Sequence, residues 1–222
     1  MKNISLLVFA AIFSSGLMSG QSDEIRIKFI GNCGLYMTDG RLNVYVDFPY
    51  KSGAYNYMEY DIAQLDSIKD NSIFLFTHRH ADHYSKKLVS RLKGKVYGPW
   101  KVPEKTRLDP DRLSDSIRYF SVQAFKTKHR FCFGHYSYLI TWHNKKIFIS
   151  GDTENADVIG QISGIDWAFV PSWFLIDARE KNMKPDVDKV ALYHMYPKEK
   201  INVQTPDIIL LQKQNEVISI PY

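Results

Sequence analysis

The sequence predicts a mixed α/β domain rich in strands. Three observations carry this. Polar and apolar residues alternate in Glu24 to Ile30, the pattern of a half-buried strand. Ser72-Ile73-Phe74-Leu75-Phe76 is an apolar run with no polar face, as expected of a central strand covered on both sides. Short helical patterns are interspersed between such segments instead of being collected at one end.

Taken in order, the chain opens as a β-meander. After Glu24 to Ile30 come a turn at Gly31-Asn32-Cys33-Gly34, an extended Leu35 to Met37, a hairpin signal at Asp39-Gly40, and a strand from Leu42 to Phe48. Ile62 to Ile68 reads as a short helix. Ser85 is placed to cap a second one running to about Lys93, with Leu88, Val89 and Leu92 on one face and Lys86, Lys87 and Arg91 on the solvated other. Ile117 to Lys126 and Tyr136 to Trp142 are extended, and His143 to Lys146 turns the chain into Ile147-Phe148-Ile149. Asp166 to Val170, Lys189 to Tyr193 and Glu216 to Ile220 complete the strands. No repeat, low-complexity stretch or Pro/Gly/Ser linker divides residues 24 to 222, so residues 21 to 222 are expected to form one domain.

Residues 1 to 20 read differently. Lys2 precedes the almost unbroken apolar run from Ile4 to Phe13, and small residues follow. The run is far shorter than the ~20 residues of a membrane span, and this order of features is that of a signal peptide, with cleavage after Gly16, Gly20 or Ser22. The expectation is therefore an exported protein. Export makes a disulfide chemically allowed, and Cys33 and Cys132, the two cysteines, either bridge or serve as small core residues. The 222 residues carry 29 Lys plus Arg against 24 Asp plus Glu. This modest positive excess tolerates an anionic small-molecule substrate without requiring one. It gives no reason to expect a nucleic-acid partner, and oligomeric state is left open.

The chemistry is concentrated in Thr77-His78-Arg79-His80-Ala81-Asp82-His83, directly after the buried run. On a helix His78 and His80 would point apart. On an extended segment they share a face, and His83 turns towards a second position. A pattern H-x-H-x-D-H arises by chance about once in two thousand chains of this composition. Other ligand-type residues stand at the ends of extended segments: His129 after Ala124-Phe125-Lys126, Asp152 after Ile147-Phe148-Ile149, and His194 after Val190 to Tyr193. Neighbouring strand ends in a sheet converge on one cleft.

His78-x-His80-x-Asp82-His83, His129, Gly151-Asp152-Thr153 and His194, in this order, resemble the metallo-β-lactamase-fold hydrolase superfamily over residues 25 to 220. The small single-domain metal-dependent branch is the nearest in pattern, with Phe29 to Gly34 and Val44-Tyr45-Val46-Asp47 at the start. The resemblance implies an αββα sandwich of two mixed β-sheets flanked by helices. It implies two divalent metal ions, zinc before manganese or iron(II). His78, His80 and His129 would hold one ion, Asp82, His83 and His194 the other, and Asp152 would bridge them. A hydroxide between the ions would attack an ester, lactone, amide or phosphodiester, with Asp82 also placed to orient it or take a proton. Asp47 is a candidate acceptor for an imidazole N–H.

Departures from the superfamily's branches narrow the reading. Asp152 stands where the commonest zinc β-lactamases carry Cys, and His80 where flavin-linked di-iron relatives carry Glu. About 200 residues leave no room for the arms of RNA-processing relatives. Two alternatives are weighed: a mononuclear iron dioxygenase of thiols or persulfides, and a non-catalytic metal-binding protein. His135 and His143 have no motif role and are expected in hairpin or surface positions. Tyr84, Trp173 and Phe174 are candidate pocket walls.

Overall fold

The structure, a computed structural model, describes residues 23–99, 117–203 and 205–222. The leader expected at residues 1 to 20 lies outside them. The strands, in chain order, are β1 (Glu24–Gly31), β2 (Gly34–Thr38), β3 (Asn43–Val46), β4 (Ser72–Leu75), β5 (Gly94–Tyr97), β6 (Phe120–Thr127), β7 (His135–Trp142), β8 (Lys145–Ile149), β9 (Ile165–Pro171), β10 (Val187–Tyr193), β11 (Ile208–Leu210) and β12 (Val217–Pro221). The α-helices among the described residues are α1 (Ala63–Asp66), α2 (Lys86–Val89) and α3 (Ser172–Glu180).

The strands form two six-stranded mixed sheets, ordered β12-β1-β2-β3-β4-β5 and β11-β10-β9-β8-β7-β6. Because side chains alternate along a strand, each sheet presents two apolar faces, and the molecule has three apolar layers. Between the sheets pack Ile25, Ile27 and Phe29 of β1, Val44 and Val46 of β3, Ile73 and Leu75 of β4, and, from the other sheet, Tyr138, Ile140 and Trp142 of β7 with Ile147 and Ile149 of β8. The intervening residues point outward. Tyr45 and Phe74 meet Leu65 of α1 and Val89 of α2 on one side, while Phe148, Ala168 and Leu192 meet Phe174 and Ala178 of α3 on the other. This is the αββα order of layers that the sequence resemblance implies.

Several details depart from the sequence reading. The helix expected from Ser85 to Lys93 is a single turn, Lys86–Val89, and the Ser85 side chain makes no capping bond. The amide of Asn71 bonds to the carbonyl of Lys93, and Gly94 then pairs with Ser72, so joining β5 to β4 ends the helix early. The segment expected from Ile117 becomes a strand only at Phe120, after a turn. β5, β11 and α3 were not marked by the sequence: the two strands are only four and three residues long, and Ser172–Glu180 has no clean helical period. Cys33 and Cys132 are unbridged; Cys33 is buried at the β1–β2 turn, and Cys132 donates to the carbonyl of Gly134 at 2.8 Å.

Strands β3, β4 and β5 run parallel, as do β8, β9, β10 and β11. The C-terminal ends of β3, β4, β8, β9 and β10 open towards the same rim of the sandwich, and the functional side chains follow them.

Candidate metal centre

β4 ends at Leu75, and the chain bends at Thr77 before His78 and His80, whose rings lie 4.6 Å apart. It then turns, with the amides of His83 and Tyr84 both bonding to the carbonyl of His80, and the turn swings Asp82 and His83 to the other side of the cleft. Asp152 follows β8 after Ser150 and Gly151. Gly151 has φ +62, and a Cβ there would come within 2.6 Å of Nε2 of His135 and 2.8 Å of Cβ of Thr77, so only glycine fits this close approach. His194 leaves β10 at φ 58 and Asp47 leaves β3 at φ 46, both in the left-handed region that is sparsely populated by non-glycine residues.

The seven residues singled out in the sequence meet in one place. Nε2 of His129 lies 3.2 Å from Nδ1 of His80, and the donor atoms of His78, His80 and His129 all lie within 4.8 Å of one another. In a second group, Nε2 of His83 and Nε2 of His194 are 3.1 Å apart, and Oδ2 of Asp82 is 3.4 and 3.3 Å from them. Oδ2 of Asp152 stands between the groups. It is 3.0 and 2.9 Å from His83 and His194, and 3.7 and 3.8 Å from His78 and His129.

The hydrogen bonds behind these residues decide which imidazole nitrogen faces inward. Nδ1 of His83 is 2.9 Å from Oδ2 of Asp47. The Thr77 hydroxyl donates to the same oxygen at 2.7 Å and lies 3.0 Å from Nδ1 of His78, while the Thr77 amide donates to Oδ1 of Asp47 at 2.7 Å. Asp47 thus holds His83 directly and His78 through Thr77, which leaves both Nε2 atoms turned inward. Asn32 donates from Nδ2 to the carbonyl and to Oδ2 of Asp82, at 3.0 and 3.2 Å.

Charge is arranged to suit a cation. Burial, reinforced by the neighbouring imidazole of His83, holds His78 well below the usual histidine range, and burial lowers His129 too, so both are neutral donors. Burial is the largest influence on His83 and His194 and works against their charge, but Asp152 and Asp82 together, with Asp47 beside His83, outweigh it and raise both, His194 to about 9. For Asp152 and Asp82 burial is likewise overcome by these two imidazoles, and both carboxyls are held far below the usual carboxylate range. Nε2 of His78 is buried and has no hydrogen-bond partner. An orphaned inward nitrogen, two carboxylates and four further imidazoles are a donor set for borderline ions such as zinc. Ligands at about 2.0 Å from a tetrahedral ion are about 3.3 Å apart, and the spacings of 3.1 to 3.4 Å within the second group bracket that value. The residues fit divalent metal ions.

Some residues at the site were missed or misplaced in the sequence. His135, expected in a hairpin or surface position, is buried at the site: it accepts the Asp152 amide at Nε2 (3.0 Å), and its Nδ1 is 2.6 Å from the Thr127 hydroxyl. Burial pushes its pKa down to about 3, so it stays neutral. His143 does sit at the β7–β8 hairpin, 2.9 Å from Oδ2 of Asp39. Among the candidate walls, Trp173 packs 5.1 Å from the His194 ring and donates to the Asp152 carbonyl, whereas Phe174 is buried in the core against Phe148, and Tyr84 packs on Phe76. Tyr57, unmarked in the sequence, lies edge-on to His194 at 4.2 Å and stacks on the half-exposed Tyr196 at 4.4 Å. Thr77 and Asn32 were hidden as ordinary strand-end and turn residues, although each adjoins a motif position.

The arrangement is that of the metallo-β-lactamase fold. YhfI of Bacillus subtilis, a metallo-β-lactamase-fold protein, superposes with a TM-score of 0.63 at 15% identity, covering 89% of this chain and 99% of that one. Igni18, a metallo hydrolase of the hyperthermophilic archaeon Ignicoccus hospitalis, gives 0.65 at 14% identity over 90% and 99%. A protein of Parabacteroides distasonis assigned as a metal-dependent hydrolase gives 0.60 at 21% identity over 86% and 94%. No family model matches the chain, and no curated protein matches it by sequence. The chain therefore has the metallo-β-lactamase fold, with a candidate dinuclear centre at its rim.

Proposed function

We propose that this chain is an exported hydrolase that works with two divalent metal ions, zinc by preference, on an ester, lactone, amide or phosphodiester of a small molecule. The observation that carries this reading is Oδ2 of Asp152, set between three imidazoles on one side and His83, His194 and Asp82 on the other. His78, His80 and His129 would hold one ion, Asp82, His83 and His194 the second, and Asp152 both. When bound, the ions lower the pKa of water to near neutrality and offer positive charge to an oxyanion or leaving group.

The chain's own residues do the rest. Asp82, ionised and fixed through Asn32, is an acceptor at Oδ2 for a proton from the attacking water. Asp47 and Thr77 keep His83 and His78 in the inward-facing tautomer. Tyr57, Tyr196 and Trp173 wall the His194 side with aromatic surface, which excludes water and suits an apolar part of the substrate. The net positive charge favours an anionic substrate, and the apolar run of residues 4 to 13 supports export.

The test is metal analysis of protein purified without chelator, followed by an activity screen of the metal-loaded protein across phosphodiesters, lactones, thioesters and β-lactams. Close to two zinc ions per chain and turnover that Asp152→Asn abolishes are expected. One iron per chain, or turnover unchanged by Asp152→Asn, would overturn the reading.

A further inference from the structure

Asp152 is held at each of its polar groups. Its amide donates to His135 at 3.0 Å, and its carbonyl accepts from the Trp173 indole at 3.4 Å. Its Oδ2 faces four imidazoles. The remaining atom, Oδ1, has one hydrogen-bond partner among the described residues: Sγ of Cys33, at 3.7 Å.

Cys33 is completely buried in the turn joining β1 to β2. That turn is itself tied to the site. Asn32, at φ 50, receives the His194 amide on its carbonyl at 3.1 Å and holds Asp82 with its side chain. The thiol therefore sits on a rigid support, and with His83, Asp152 and His194 it makes a group whose donor atoms lie within 4.8 Å of one another. A donor on one oxygen of a carboxylate restrains the angle of the whole group, and so the direction in which its other oxygen points. A thiol suits this buried position: it is small, packs like an apolar residue and donates weakly, so it does not compete for Oδ2.

We propose that Cys33 is a positioning residue of the metal centre, whose S–H holds Oδ1 of Asp152 so that Oδ2 stays turned towards the imidazoles. This rests on the reading of Asp152 as the bridging ligand. The role is a hydrogen bond to Oδ1 at 3.7 Å, as distinct from metal ligation by the sulfur.

The experiment uses the full chain carrying Cys132→Ala, in which Cys33 is the sole thiol, and follows its S–H stretch by infrared spectroscopy. In metal-free protein the band should lie at the lowered frequency of a hydrogen-bonded thiol and move up with Asp152→Asn, because an amide accepts less strongly than a carboxylate. It should persist when zinc is added. Cys33→Ala in the native chain should bind zinc about tenfold more weakly, with an unchanged far-ultraviolet circular dichroism spectrum. Disappearance of the S–H band on zinc binding, with a sulfur-to-metal charge-transfer band in the cobalt-substituted protein, would make Cys33 a ligand and overturn the proposal. So would an S–H frequency indifferent to Asp152→Asn, or undiminished zinc affinity in Cys33→Ala. If the protein binds no zinc at all, the dinuclear reading fails, while the metal-free S–H band still decides whether the thiol holds Asp152.

Discussion

Oδ2 of Asp47 lies 2.9 Å from Nδ1 of His83, and both side chains are fully buried. The same oxygen accepts the Thr77 hydroxyl, which in turn is 3.0 Å from Nδ1 of His78, so a single carboxylate sets the orientation of one imidazole in each half of the site. Asp47→Asn removes the charge that makes Nδ1 the protonated nitrogen of His83. The expected outcome is a 10- to 100-fold loss of zinc affinity, the usual effect of removing a partner behind a ligating histidine. Thr77→Val should act in the same direction through His78. Chelator competition measures both, and affinities equal to the native protein's would show that the imidazoles are oriented without Asp47.

Gly151 makes a second prediction. Its φ of +62 and the 2.6 Å approach of a Cβ to Nε2 of His135 combine a backbone cost with a steric clash against a ring that is itself pinned by Thr127 and Asp152. Gly151→Ala should destabilise the fold by about 2–5 kcal/mol. Urea unfolding of the metal-free protein is the measurement, and a midpoint within error of the native one would mean that the turn has another conformation open to it.

The reach of the sequence can be judged residue by residue. Strands were legible where burial imposed a pattern: Ile25, Ile27 and Phe29 alternate because one sheet face is core, and Ile73 to Phe76 do not because both faces are. The motif residues were legible because imidazoles and carboxylates at strand ends have few other uses in such density. His135 was not, since its role is to accept a backbone amide from Asp152, seventeen residues away, and no local spacing encodes such a partner. Cys33 was read as a core residue or half of a disulfide for the same reason: its neighbour Asp152 comes close only when the two sheets close over each other. β5 and α2 were misjudged because the pairing of Gly94 to Tyr97 with β4 is a tertiary choice that overrides a local helical pattern.

Metal removal should lower stability as well as activity. Asp82 and Asp152 are buried carboxylates gathered with five imidazoles, and a cation bound there would compensate the cluster and favour the folded state alone. Free zinc at 100 times its dissociation constant would add about 2.7 kcal/mol to the unfolding free energy. A thermal melt of the zinc-loaded protein should therefore shift downward by several degrees on adding a chelator, and back on restoring zinc. An unchanged melting temperature would show that the cluster does not bind zinc.

Asp39 gives a pH dependence located away from the metal site. Its Oδ1 accepts the amides of Arg41 and Leu42 at 2.9 and 2.8 Å, and its Oδ2 accepts from Trp142 Nε1 at 3.3 Å and lies 2.9 Å from Nε2 of His143. Burial by itself would raise its carboxyl, but these donors, Leu42 and His143 first, hold it below the usual carboxylate range. With the folded pKa depressed, the unfolded chain binds more protons as pH falls, so this stabilisation is complete above the ordinary carboxylate pKa of about 3.9 and is lost as pH drops through the lower folded value. Asp39→Asn turns one acceptor into an amide that faces the Trp142 and His143 donors, which should cost about 1.5–3 kcal/mol at neutral pH. Below about pH 4 the native protein should lose stability more steeply than the variant, because Asp82 and Asp152 titrate in both while Asp39 titrates in one. Unfolding free energies of the two proteins from pH 7 to pH 3 measure this, and parallel curves would mean that Asp39 has the same proton affinity folded and unfolded.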